Sequence, residues 1–128
     1  MKESRVGIDA LMGKVLSEVR VSDDKYEIIF VTTAGETYKM FHDQSCCEDV
    51  AVEDICGDLG DLIGSPIVHA TEDTNEDETP DGINPPEHPD SYTWTFYNIA
   101  TAKGHVTLRW LGESTGCYSE SVDFCRIK

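Results

Sequence analysis

Along this chain apolar residues recur at every second position far more often than at every third or fourth, and such alternation predicts strands rather than helices. Val15, Val19 and Val21 lie opposite Glu18 and Arg20, and Ser22-Asp23-Asp24 supplies a turn. Tyr26 to Val31, rich in β-branched and aromatic residues, reads as a second strand. Ala34-Gly35 returns the chain into a third, Thr37 to His42, with Tyr38, Met40 and His42 sharing one face. Val50 to Ile55 and Ile67 to Thr71 read as further short strands. Tyr92, Trp94 and Phe96 then alternate with Thr93, Thr95 and Tyr97, Thr101-Ala102-Lys103-Gly104 closes a hairpin, and Val106, Leu108 and Trp110 alternate with His105, Thr107 and Arg109. Tyr118, Glu120, Val122 and Phe124 end the series. The ladder Tyr92, Trp94 and Phe96, with Trp110 on the neighbouring strand, reads as a face of the hydrophobic core, and Arg109 beside it as a surface anchor. Two segments carry helical signals: Val6 to Met12, closed by Gly13, and Asp58 to Ile63, stopped by Gly64-Ser65-Pro66. The fold expected is α+β and β-rich, a mostly antiparallel sheet of about eight strands with one or two short helices.

Residues 72–90 break this rhythm with eight acids and four prolines, and read as a long, mobile acidic loop inserted between two strands. The 128 residues and 14.2 kDa suit a single domain spanning 1–128. The net charge of −15 is unevenly placed. All ten basic residues fall within 1–39 or 103–128, where ten acids balance them, whereas residues 40–102 hold fifteen Asp and Glu with no Lys or Arg. That distribution excludes non-specific binding to nucleic acid or to an anionic membrane, and favours a basic partner or cations. No apolar run approaches the length of a membrane span, and Met1-Lys2-Glu3-Ser4-Arg5 does not begin a secretory signal. Five cysteines, an odd number, point to free thiols in a reducing cytoplasm.

Phe41-His42-Asp43-Gln44, Cys46-Cys47-Glu48, Glu53-Asp54-Ile55, Gly57-Asp58-Leu59 and Asp61-Leu62-Ile63-Gly64 form a dense motif string. It continues in Ser91-Tyr92-Thr93-Trp94-Thr95-Phe96-Tyr97, Lys103-Gly104, Arg109-Trp110 and Tyr118 to Phe124. With these residues the chain resembles a small uncharacterised domain family carried by phages and bacteria. The resemblance implies a phage or mobile-element setting and no particular activity, and it fixes no cysteine at Cys117 or Cys125.

Four constellations could carry chemistry. His42, Cys46, Cys47 and Cys56 offer one imidazole and three thiols to a zinc ion, without a C-x-x-C pair. His42 with Cys46, oriented by Asp43 or Glu48, has the residue types of a thiol enzyme, though the surrounding acids oppose thiolate formation. Asp73-Thr74-Asn75-Glu76-Asp77 spaces oxygens as the start of a calcium loop does, but Glu78 and Asn84 break the pattern. Glu53-Asp54 and Asp58/Asp61 pair carboxylates with no phosphate loop nearby, and Asp58 also suits a helix cap.

The expectation is a non-enzymatic acidic binding protein, phage or mobile-element encoded, with no cofactor. It would mimic nucleic acid and inhibit a host protein, such as a defence or nucleic-acid-handling complex, through a basic surface on that host. Glu48, Asp49, Glu53, Asp54, Asp58 and Asp61, with Arg109, are the expected contacts. The alternatives are a zinc-binding or thiol enzyme at His42, Cys46, Cys47 and Cys56, and a housekeeping interaction module. Self-association through a strand edge fits all three.

Overall fold

The computed structural model describes residues 4–43, 48–76, 91–114 and 120–128. Within them are nine strands: β1 (Ser4–Arg5), β2 (Leu16–Val21), β3 (Glu27–Thr32), β4 (Thr37–Phe41), β5 (Asp49–Cys56), β6 (His69–Glu76), β7 (Ser91–Thr101), β8 (Gly104–Ser114) and β9 (Asp123–Arg126). They form two antiparallel sheets, ordered β1-β9-β4-β3-β2 and β5-β8-β7-β6.

One hydrophobic cluster draws on both sheets. Ile28, Phe30, Tyr38, Met40 and Phe124 come from the first, and Val50, Val52, Tyr97, Ile99, Val106, Leu108 and Trp110 from the second. The Phe124 ring stacks on Tyr38 with centroids 5.5 Å apart, and meets Phe30 edge-on at 5.8 Å. Trp110 spans the gap, its indole N–H donating to Met40 Sδ at 3.2 Å, so the polar atom of the largest core side chain is satisfied by the facing layer.

The β-rich, antiparallel class is what the structure shows, with three corrections. First, there are nine strands, and both expected helices shrink to 3-10 turns, Ile8–Leu11 and Leu59–Leu62. Each has only four residues, too few for the cooperative propagation an α-helix needs. Second, residues 72–76 are not the start of the acidic loop but the end of β6, paired with β7 from His69↔Ala100 to Glu76↔Thr93. The calcium-loop reading of 73–77 falls with it, because Asp73 and Asn75 lie in an extended strand; residues 77–90 lie outside the described residues. Third, Tyr92, Trp94 and Phe96 do not face the core. The register sets Thr95 opposite Trp110 and Trp94 opposite Leu111, so Thr95, Tyr97, Ile99 and Thr101 point inward and the ladder points outward.

The sheet edges differ. At β5 the Val52 N–H donates to Lys25 O at 2.8 Å, tying that edge to the turn between β2 and β3. The start of β2 is covered by bridges Val15↔Pro66 and Leu16↔Ile63. Among the described residues no helix is long and apolar enough to cross a membrane.

Candidate functional site

The two sheets divide the charge. The first is built from residues 4–41 and 123–126, the neutral flanks, and its outward face is laced with ion pairs: Arg5–Asp123 at 2.6 Å, Arg20–Glu18 at 3.0 Å and Lys39–Glu27 at 3.6 Å. The second carries the stretch without Lys or Arg. The registers bring Asp49, Glu53 and Asp54 of β5, Glu113 of β8 and Asp73 of β6 to its outward face, with Arg109 of β8 among them. Among the described residues, this face carries one guanidinium and five carboxylates.

A bulge organises the centre of the strip. The β5–β8 pairing shifts between Val52 and Asp54, leaving Glu53 as the extra residue, and Asp54 lies opposite Arg109. Both acids are exposed and converge on that arginine. Arg109 Nε and Nη2 lie 2.6 and 2.5 Å from Glu53 Oε1, and Nη2 is 3.4 Å from Asp54 Oδ2. The guanidinium also sits over the Trp94 ring, 5.6 Å from its centroid. Trp94 is 1% exposed although it points away from the central cluster. Arg109 is thus no free anchor: it bridges two acids across a buried indole.

At one end of the strip Asp49 and Glu113 stand directly opposite each other. Burial, together with the Asp49 charge, pushes the Glu113 carboxyl above the usual carboxylate range. Tyr26 reaches across from the first sheet and donates its hydroxyl to Asp49 Oδ1 at 2.7 Å, and this bond to a carboxylate pushes the Tyr26 phenol up.

The other expected contacts lie elsewhere. Glu48 is not available to a partner: its side chain is 2% exposed and its Oε2 lies 3.0 Å from His42 Nε2. His42 Nδ1 meets Ser121 O at 2.6 Å. A carbonyl only accepts, so Nδ1 carries a hydrogen, and another must lie between Nε2 and the Glu48 carboxylate. Both ring nitrogens are therefore committed, which removes His42 as a base for a neighbouring thiol. Asp58 caps the 3-10 turn Leu59–Leu62, accepting from Gly60 N–H at 2.9 Å. Asp61 sits in that turn, its carbonyl accepting the Thr101 hydroxyl. The preceding Gly57 has φ +118°, and a Cβ there would lie 2.6 Å from His105 O, so the bend that leads out of β5 requires glycine.

Of the four candidate zinc ligands, the two described ones, His42 and Cys56, do not come together. Cys56 is exposed at the far end of β5, separated from the Glu48–His42 end by the strand's length, roughly 20 Å. Cys46 and Cys47 lie outside the described residues, and no group of three or more metal-ligating side chains converges among the described ones.

Three acids lie outside the expected contacts. Asp73 and Glu113 join the strip through register, and Glu113 shares its parity with Arg109 and Leu111. Glu120 is buried instead, its carboxylate accepting from Thr93 Oγ1 at 2.7 Å and Ser114 Oγ at 2.5 Å. Gly112 allows that approach, since a Cβ there would lie 2.5 Å from Glu120 O.

Fold and site together define a two-sheet antiparallel β domain with one ion-paired face and one predominantly acidic face. The chain belongs to the family described as Domain of unknown function (DUF7448), whose model matches residues 9–124. No curated protein and no solved structure matches it.

Proposed function

We propose that this domain is a non-enzymatic binding module whose acidic sheet face engages a basic surface on another protein. The observation that carries the reading is the outward face of the second sheet: five carboxylates to one guanidinium, including the like-charge pair Asp49–Glu113. Like charges directly opposite across strands are unfavourable. A fold that keeps them there, while its other sheet neutralises its acids, places field where solubility alone does not require it. Such a face accelerates encounter with cationic grooves and competes with phosphate backbones for them. A chain of phage or mobile-element origin would in this way inhibit a host nucleic-acid-handling protein from within the cytoplasm.

The expected contacts are Asp49, Glu53, Asp54 and Asp73, with Arg109 fixing the central pair. The test is affinity capture with the wild type and with Asp49→Asn/Glu53→Gln/Asp54→Asn/Asp73→Asn. The wild type should recover basic proteins, less so as salt rises toward about 0.5 M, and the variant should lose them. Recovery of neutral or acidic proteins alone, or capture indifferent to salt, overturns the reading.

A further inference from the structure

The acidic sheet ends in β6, and this edge is unlike the others. β1 has two residues, β2 is bridged at its start by residues 63 and 66, and β5 is tied to Lys25 O. β6 runs for eight residues, and among the described residues its backbone hydrogen bonds run only to β7. In an antiparallel pair every second residue turns its N–H and C=O away from its partner. Among the described residues β6 therefore presents a row of donors and acceptors along its outer side, apart from where the 3-10 turn Ile8–Leu11 packs against it.

Its side chains say what could add there. All of Thr71, Glu72, Asp73 and Thr74 are exposed. Glu72 and Asp73 are adjacent in an extended strand, so they project to opposite faces of the sheet, and an added strand would meet a carboxylate on each face. A second copy of this chain pairing antiparallel about that point would set acid against acid, which is how sheet edges resist self-association. A strand with basic side chains meets attraction on both faces.

We propose that β6 is an augmentation edge, on which an extended Lys- or Arg-bearing segment of the partner protein adds as a fifth strand to β5-β8-β7-β6. This rests on the proposal that the partner is basic, and it specifies the form in which the partner binds. Backbone pairing would give affinity, while Glu72 and Asp73 would select charge.

The test uses the whole chain and three short peptides of sequence Thr-Val-Thr-Lys-Lys-Thr-Val-Thr. One is unmodified, one is N-methylated at odd positions and one at even positions. An added strand uses one set of alternate amides, so one methylated peptide should bind about tenfold or more weakly and the other like the parent. Amide exchange should slow at alternate residues of 69–76. If both methylated peptides match the parent and salt weakens all three alike, the edge proposal is overturned while the acidic-face reading stands. If the parent peptide does not bind at all, both fall.

Discussion

Replacing Arg109 with Met removes the one positive charge that the described residues place on the acidic face, while keeping an apolar stem over Trp94. The ion pairs lost are short, with Nε and Nη2 at 2.6 and 2.5 Å from Glu53, but Glu53 and Asp54 side chains are 37% and 51% exposed. Partly exposed pairs of this kind contribute about 0.5–1 kcal/mol. The guanidinium over the Trp94 ring, at 5.6 Å, adds about 0.5–1 kcal/mol. Arg109→Met should therefore cost about 1–2 kcal/mol, lowering Tm by roughly 3–8 °C for a domain of this size. Thermal unfolding followed by circular dichroism reads it directly. Because the ion-pair part is screened and the packing part is not, the deficit should shrink in 1 M NaCl. The same variant leaves five acids unopposed, so association with a cationic peptide should become faster. An unchanged Tm would show that Arg109 does not hold the strip together, and a slower association would break the link between this face and binding.

Four further outcomes follow from the buried acids and from the titrating pairs. Glu120→Ala removes the buried carboxylate that accepts from the Thr93 and Ser114 hydroxyls and should cost about 2–4 kcal/mol in urea unfolding, with Glu120→Gln recovering part of it. Glu48→Ala leaves the buried His42 Nε2 without its partner and should destabilise by about 1–3 kcal/mol, whereas Glu48→Gln, whose amide can donate to a neutral imidazole, should restore most of that loss. Two acids should tilt the pH dependence in opposite directions. The Lys14 ammonium, by hydrogen bond and charge, lowers the Glu36 carboxyl below its ordinary 4.5, so its stabilisation is present above that value and is lost as pH falls through the folded one. Glu36→Gln should flatten that part of the acid limb. Burial beside Asp49 raises Glu113, so stability falls as pH rises from 4.5 through its folded value, and Glu113→Gln should raise Tm at neutral pH.

Much of the fold was legible where only one face of a strand is apolar. Val106, Leu108 and Trp110 alternate with polar residues and lie in the core, and so do Tyr38, Met40 and His42. β7 misled because both of its faces carry aromatic residues: period two shows the alternation but not its parity, and only the pairing of Thr95 with Trp110 decides it. The strand expected at Ile67 to Thr71 runs on to Glu76 as β6, and this continuation was not legible because an edge exposed on both faces, Thr71-Glu72-Asp73-Thr74, has no apolar period to read. The partition of charge between neutral flanks and acidic middle was visible in the sequence and, apart from β8, which the C-terminal flank lends to the second sheet, became the partition between the sheets. What local composition could not show was which acids find a partner. Glu48 is turned inward by His42, and Glu53 meets Arg109 only because a bulge and a cross-strand register bring 53 and 109 together.

The most direct test of the acidic-face account compares two charge-matched triple variants. One neutralises Glu53, Asp54 and Asp73 on the second sheet, and the other neutralises Asp9, Glu18 and Glu27 elsewhere. Each is mixed with an oligo-arginine peptide, and the association rate is followed by stopped-flow fluorescence over a series of ionic strengths. The account predicts a slower, less salt-dependent rate for the first variant and a nearly wild-type rate for the second. Equal slowing in both would mean that net charge, and not this face, attracts the partner.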